Sequence, residues 1–134
     1  MSSSKYEAVT RCIRVSVVPL YIADESDPDE DRFFWAYTIE IENEGTETVR
    51  LRSRIWKITD ETGKVEEVRG PGVVGQTPTL KPGESFHYTS GCPLTTPSGI
   101  MVGSFQMTSD DGEMFDVAVP AFSLDSPDAR RVVN

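Results

Sequence analysis

The residues with most chemical potential in this chain lie between Arg50 and Phe86. Gly70, Gly72 and Gly75 spell G-x-G-x-x-G within "RGPGVVGQTPTLKPGESF". That spacing cradles the phosphates of a dinucleotide when a strand delivers it to the start of a helix, whose free amides and dipole receive the pyrophosphate. Here Gly75 is followed by "QTPTLKPG". Pro78 and Pro82 forbid the helix the mechanism needs, and no Gly-Lys-Ser/Thr follows to make a Walker loop. Two readings remain. Successive amides beside Arg69 form a small nest for a phosphate or nucleotide, or the glycines permit a tight crossing between sheets where a Cβ would clash. The pattern favours the second, since glycine in all-β loops is ordinary. Arg50, Arg52 and Arg54 alternate along a strand, so at least part of that row shares one face. It offers guanidinium groups to a phosphate or to a partner's carboxylates, although such rows more often solvate a face or guard an edge. Convergence of Arg54 and Arg69 beside the glycines would shift the balance towards a ligand. The candidate anion loop is therefore Arg54, Arg69, Gly70, Gly72 and Gly75.

Other chemistry is poorly supplied. Asp27, Asp29 and Asp31 alternate as in a calcium loop, but Arg32 stands where the sharp-turn glycine belongs and Thr38 where the bidentate Glu belongs. The run is read as a solvated loop with at most weak divalent-cation association. His87 is the sole histidine, Cys12 and Cys92 are far apart, and no metal-ligand spacing occurs. His87 falls on the strand face opposite Phe86 and Tyr88, with no carboxylate in a recognisable triad arrangement. The expectation is a non-enzyme with no metal and no cofactor.

The elements that would carry these residues are strands. Phe33, Trp35, Tyr37, Ile39 and Ile41 share one parity, which predicts a long strand with one buried face, and Ile13, Val15 and Val17 predict another before it. In "TETVRLRSRIWKIT" the parity breaks, since Val49 and Leu51 oppose Trp56 and Ile58; a bulge near Ser53 reconciles the halves. "DETG" and "SDDG" read as hairpin turns, and further strands fit 64–69, 85–90, 99–108 and 113–124. Phe34 lies on the polar parity and is expected to be exposed. Trp35 and Trp56 are expected in the core. About seven short strands with turn signals at regular spacing predict an antiparallel β-sandwich of immunoglobulin or fibronectin III type. The 134 residues form one domain, with flexible N-terminal residues and a loose C-terminal tail.

With 22 acidic and 13 basic side chains the net charge is −9, which argues against a nucleic-acid partner and offers nothing to an anionic membrane. "MSSSKYEAVTRCIRVSVVPLYI" lacks the apolar core of a signal peptide, so the location expected is cytoplasmic and both cysteines are expected as thiols.

The combination "SRIWKITDETGKVEEVRGPGVVGQTPTLKPGESFHYTSGCPLTTPSGIMVGSF", flanked by "WAYTIEIEN" and "FDVAVPAF", resembles the ApaG (CorD) family over nearly the whole chain. The resemblance implies a fibronectin III-like sandwich, in agreement with the strand periodicity. It also implies an association with cobalt resistance and magnesium efflux, and a gene neighbourhood shared with a diadenosine tetraphosphate hydrolase. Related domains occur in an F-box protein and a polymerase-δ-interacting protein, where they look like recognition modules. Family members often carry His before the strand tryptophan, and this chain has Ile55 there. The function expected is a non-catalytic module for an unidentified protein partner. The alternative is a phosphate- or nucleotide-binding sensor using the glycine loop. Homodimerisation through a sheet edge fits the architecture.

Overall fold

The computed structural model describes residues 5–127; residues 128–134 of the expected loose tail, and Met1–Ser4, lie outside the described residues. Nine strands run in chain order: β1 (Tyr6–Thr10), β2 (Ile13–Tyr21), β3 (Phe33–Asn43), β4 (Val49–Asp60), β5 (Val65–Pro71), β6 (Thr79–Leu80), β7 (Ser85–Leu94), β8 (Ser98–Ser109) and β9 (Met114–Asp125). They form two antiparallel sheets, ordered β1-β2-β3-β7 and β5-β4-β8-β9, with β6 also paired to β4. The result is a fibronectin III-like sandwich.

Alternation sets the core. Phe33, Trp35, Tyr37, Ile39 and Ile41 of β3 are all buried, facing Leu51, Trp56, Phe105, Val117, Val119 and Phe122 of the other sheet. Trp56 meets Tyr37, Phe105 and Phe122 edge-on, with ring centroids 5.5, 6.4 and 6.2 Å away, the arrangement that aligns ring edges with the electron-rich faces of their neighbours.

The parity break in β4 is a bulge. Leu51 pairs with Met107 and Ser53 with Gln106, so the register against β8 slips at Arg52. The extra residue keeps Val49 and Leu51 inward before it and Trp56 inward after it.

Two strands exceed the expected seven. In β1 the most apolar residue, Val9, is 60% exposed, whereas Tyr6, Ala8 and Thr10 are the half-buried set, so hydrophobicity points the wrong way. Its turn into β2 uses Arg11 and Cys12 at φ +48° and +66°, a mirror-type hairpin turn without the usual Gly or Asn signal. Tertiary contacts hold it instead: the Arg11 guanidinium lies 4.4 Å over the Phe115 ring and forks onto the Glu113 carboxylate. The strand β6 has only two residues and is too short for periodicity to register.

His87 is exposed, with Nε2 3.5 Å from the Glu40 carboxylate across the strand pair. The acidic segment forms two short 3-10 turns, Ala23–Glu25 and Pro28–Glu30, and Asp27 pairs with Arg32 at 3.5 Å. Phe34 departs from expectation. It is half-buried rather than free, because its ring lies across Gly91, where an added Cβ would come 2.2 Å from Cζ. No helix among the described residues is long and apolar enough to cross a membrane.

The two sides of the sandwich differ. On one, β1 and β9 close over the core: Thr10 Oγ1 accepts from the Ala118 amide at 3.2 Å and the Tyr6 hydroxyl from the Ser123 amide at 3.5 Å. On the other, β5 and β7 leave a gap.

Candidate functional site

The bulge that repairs the parity of β4 also turns Arg54 inward. Arg50 and Arg52 precede or occupy it and remain outside, where Arg50 bonds Thr77 and Arg52 bonds Thr108 Oγ1 at 3.0 Å. Arg54 pairs with Gly70, and Trp56 with Val68, on the inner face of β4 and β5. Its Nη1 donates to the carbonyls of Pro71 and Gly72 at 2.9 and 2.8 Å. The guanidinium lies flat where Gly70 lacks a side chain, since a Cβ there would stand 3.0 Å from both terminal nitrogens.

Arg69 is on the other face. It pairs with Ile55, is exposed, and its Nε bonds Glu67 Oε1 at 2.8 Å. The structure thus brings Arg54 and Gly70 together and leaves Arg69 separated from them by the thickness of the sheet. Ile55 shares the outer face with Arg69.

The remaining glycines form a crossing with its own hydrogen bonds. The amide of Gly72 donates to Arg52 O at 2.8 Å, and Val73 and Gln76 exchange both of their main-chain bonds, at 2.8 and 2.9 Å. Between them Val74 and Gly75 turn at φ +43° and +79°. At Gly72, φ is +59° and a Cβ would sit 2.2 Å from Gln76 O; at Gly75 nothing lies within 4 Å. Gly72 therefore answers to sterics and to backbone conformation, Gly75 to conformation alone. Only the amides of Val74 and Gly75, at the tip, lack an acceptor among the described residues.

The open side beyond Arg54 is a cleft of about 260 Å³ between the sheets, walled by Trp56, Ile58, Val68, Met101 and Pro93. It runs towards a second cleft of about 320 Å³, lined by Phe33, Phe34 and Leu94 with Lys64 and Asp60 at its rim. Ile58, Glu66 and Pro93 belong to both. From β7 the inward parity contributes Ser90 and Cys92 to the first cleft, with Tyr37 opposite Ser90; Tyr88 shares that parity but lines neither cleft.

Burial pushes the Tyr37 phenol up, while hydrogen bonding to Ser90 and the positive charge of Arg54 pull it back. The Tyr88 phenol is raised further, again by burial, with Arg54 opposing. Its hydroxyl has no hydrogen-bond partner among the described residues although the side chain is 8% exposed, a condition that costs about 1–3 kcal/mol if nothing occupies it. The signal that could have located these hydroxyls was the parity of β7; what it could not supply was the inward turn of Arg54.

Burial, with the Glu66 carboxylate adding to it, raises the Cys92 thiol to about 11 from 9.0. Cys92 therefore stays protonated and unreactive in the folded protein. Iodoacetamide at pH 8 should modify exposed Cys12 and reach Cys92 only in denaturant, giving one adduct and then two by intact-mass measurement. Because the folded value lies above the unfolded one, the stabilisation this proton provides is intact below about pH 9 and is lost as pH rises through about 11. Cys92→Ala should flatten that part of the alkaline fall in urea midpoint.

A family model described as the ApaG domain matches residues 23–109, spanning β3 to β8 and the whole glycine crossing. The chain belongs to the ApaG family. Protein ApaG of Brucella anthropi is 62% identical over 129 residues, covering 96% of this chain and 99% of that one. Protein ApaG of Rhodospirillum centenum is 62% identical over 125 residues, covering 93% and 96%. Among solved structures, the ApaA protein of Bordetella pertussis superposes with a TM-score of 0.84 at 47% identity, over 86% of this chain and 94% of that one. The family thus holds the same sandwich and includes the strands that line the open side.

Proposed function

We propose that this chain is a non-catalytic cytoplasmic recognition module that binds a protein partner along the open side of its sandwich. The observation that carries the reading is the gap between β5 and β7, where an aromatic and aliphatic floor is bounded by charged residues and by two strand edges with free main-chain groups. An apolar centre with a polar rim is the anatomy of a protein interface, and a free edge adds main-chain hydrogen bonds to an extended segment. The histidine faces away from this gap, on the outer surface of β7, so no imidazole stands beside Ser90. On this reading the association of the family with cobalt resistance and magnesium efflux is exerted through the partner. A second copy of the chain is one such partner.

Proximity labelling in living cells, repeated with open-side and outer-face variants, tests this. Ile58→Glu should lose the partner, while Thr38→Lys, on the exposed outer face of β3, should keep it, with circular dichroism confirming that both fold. A partner set indifferent to Ile58→Glu, or an empty one, removes the reading.

The alternative, a phosphate or nucleotide sensor, is supported by the two free amides at Val74 and Gly75. It predicts saturable amide shifts centred on Arg69 to Gln76 when pyrophosphate or ATP, with or without Mg²⁺ or Co²⁺, is titrated into the labelled protein.

A further inference from the structure

Arg54 is the one cation among the described residues that lines the first cleft, and no carboxylate forms an ion pair with it there. One terminal nitrogen is occupied by the Pro71 and Gly72 carbonyls, which are neutral. Its Nε and Nη2 have no acceptor, and no carboxylate forms an ion pair with it among the described residues. Tyr37 and Ser90 line the same cleft as Arg54, with a hydrogen bond between them. A guanidinium held in place by its own loop, with spare donors and the Ser90 hydroxyl lining the same cleft, is matched to an oxyanion.

The rest of the cleft narrows the class. Trp56, Val68 and Met101 ask for an apolar group next to the charge, and Glu66 at the far end disfavours a second negative charge. A monoanionic carboxylate on an apolar stem satisfies both. The cleft also opens past Ile58 and Pro93 into the second one, between two free strand edges, so a chain attached to that stem has a path out.

Resting on the recognition-module reading above, we propose that Arg54 and Ser90 bind the C-terminal carboxylate of the partner polypeptide, whose apolar last side chain lies against Trp56, Val68 and Met101. Backbone-end capture of this kind is a recurring mode of peptide recognition.

The probes are acetylated tetrapeptides, three alanines followed by Leu, Ile, Val, Met or Phe, each as the free acid and as the C-terminal amide. Amide shifts and tryptophan fluorescence of the full chain are the readouts. At least one free acid should titrate with shifts at Gly70, Ser90 and Gly91, and its amide should bind about tenfold or more weakly. Arg54→Gln should weaken the acid by a similar factor. Equal binding of acid and amide, no shift at those residues with any peptide, or acetate and inorganic phosphate binding as tightly as the peptides would overturn the proposal. Partner labelling in cells that is abolished by Ile58→Glu and untouched by Arg54→Gln would overturn it while leaving the recognition module standing.

Discussion

Phe105→Ala should destabilise the protein by about 3–5 kcal/mol, a large share of the roughly 5–15 kcal/mol available to a domain of this kind. Phe105 is fully buried and its ring stands at 84° to Trp56, 6.4 Å between centroids. It occupies the middle of β8, paired with Arg54 on one side and Val117 on the other. Both neighbouring strands are therefore held at their spacing around it, and they cannot collapse into the space a phenyl ring leaves. The cost is thus the lost transfer free energy together with that of the residual cavity. Urea unfolding followed by tryptophan fluorescence should show the midpoint falling by about 2 M for an ordinary dependence on denaturant. Val102→Ala, on the outer face of the same strand at 37% exposure, should change stability by less than about 0.5 kcal/mol. A loss below about 1 kcal/mol at Phe105 would contradict the placement of the core.

Gly72→Ala is the second large effect. The substitution meets two penalties at once: a left-handed backbone, about 1–2 kcal/mol, and a methyl 2.2 Å from a main-chain oxygen, which forces the crossing apart for about a further 1–3 kcal/mol. Gly75→Ala meets the first penalty and not the second, since nothing lies within 4 Å of its Cβ position. The two variants should therefore differ, Gly72→Ala losing about 2–5 kcal/mol and Gly75→Ala about 1–2 kcal/mol. Hydrogen exchange should show the Val73 and Gln76 amides opening in the first variant. Equal losses would mean that the close approach of Gly72 to Gln76 is not present in solution. The comparison also bears on the sensor reading. A bulky residue at 72 alters the loop itself, so position 75 is where an effect on phosphate binding separates from an effect on folding.

Much of the fold was legible because a strand buried on one face must alternate, and alternation survives in the sequence wherever apolar side chains supply the burial. That held for β3 and for both halves of β4. It failed for β1, whose inward residues are Tyr6, Ala8 and Thr10 while Val9 faces solvent, and whose turn relies on Arg11 reaching across to Phe115 and Glu113. It failed for Phe34 because the surface covering that ring is the absence of a side chain at Gly91, which no pattern within β3 records.

The candidate site divides along the same line. Local sequence, read with backbone sterics, is enough to exclude a dinucleotide loop: prolines at 78 and 82 cannot make the required helix. It also placed a bulge near Ser53 and the chain in its family. What it could not decide was which way each arginine points beyond that bulge, since one extra residue inverts every side chain after it. That inversion sets Arg54 over Gly70 inside the gap and leaves Arg69 outside with Glu67. Nor could sequence bring Tyr37 and Ser90 into one cleft with Arg54, because they belong to the other sheet and meet it only when the two sheets pack. The backbone rules act within a few residues and are written in the chain; a charge left without a counter-ion between two sheets is a property of their packing alone.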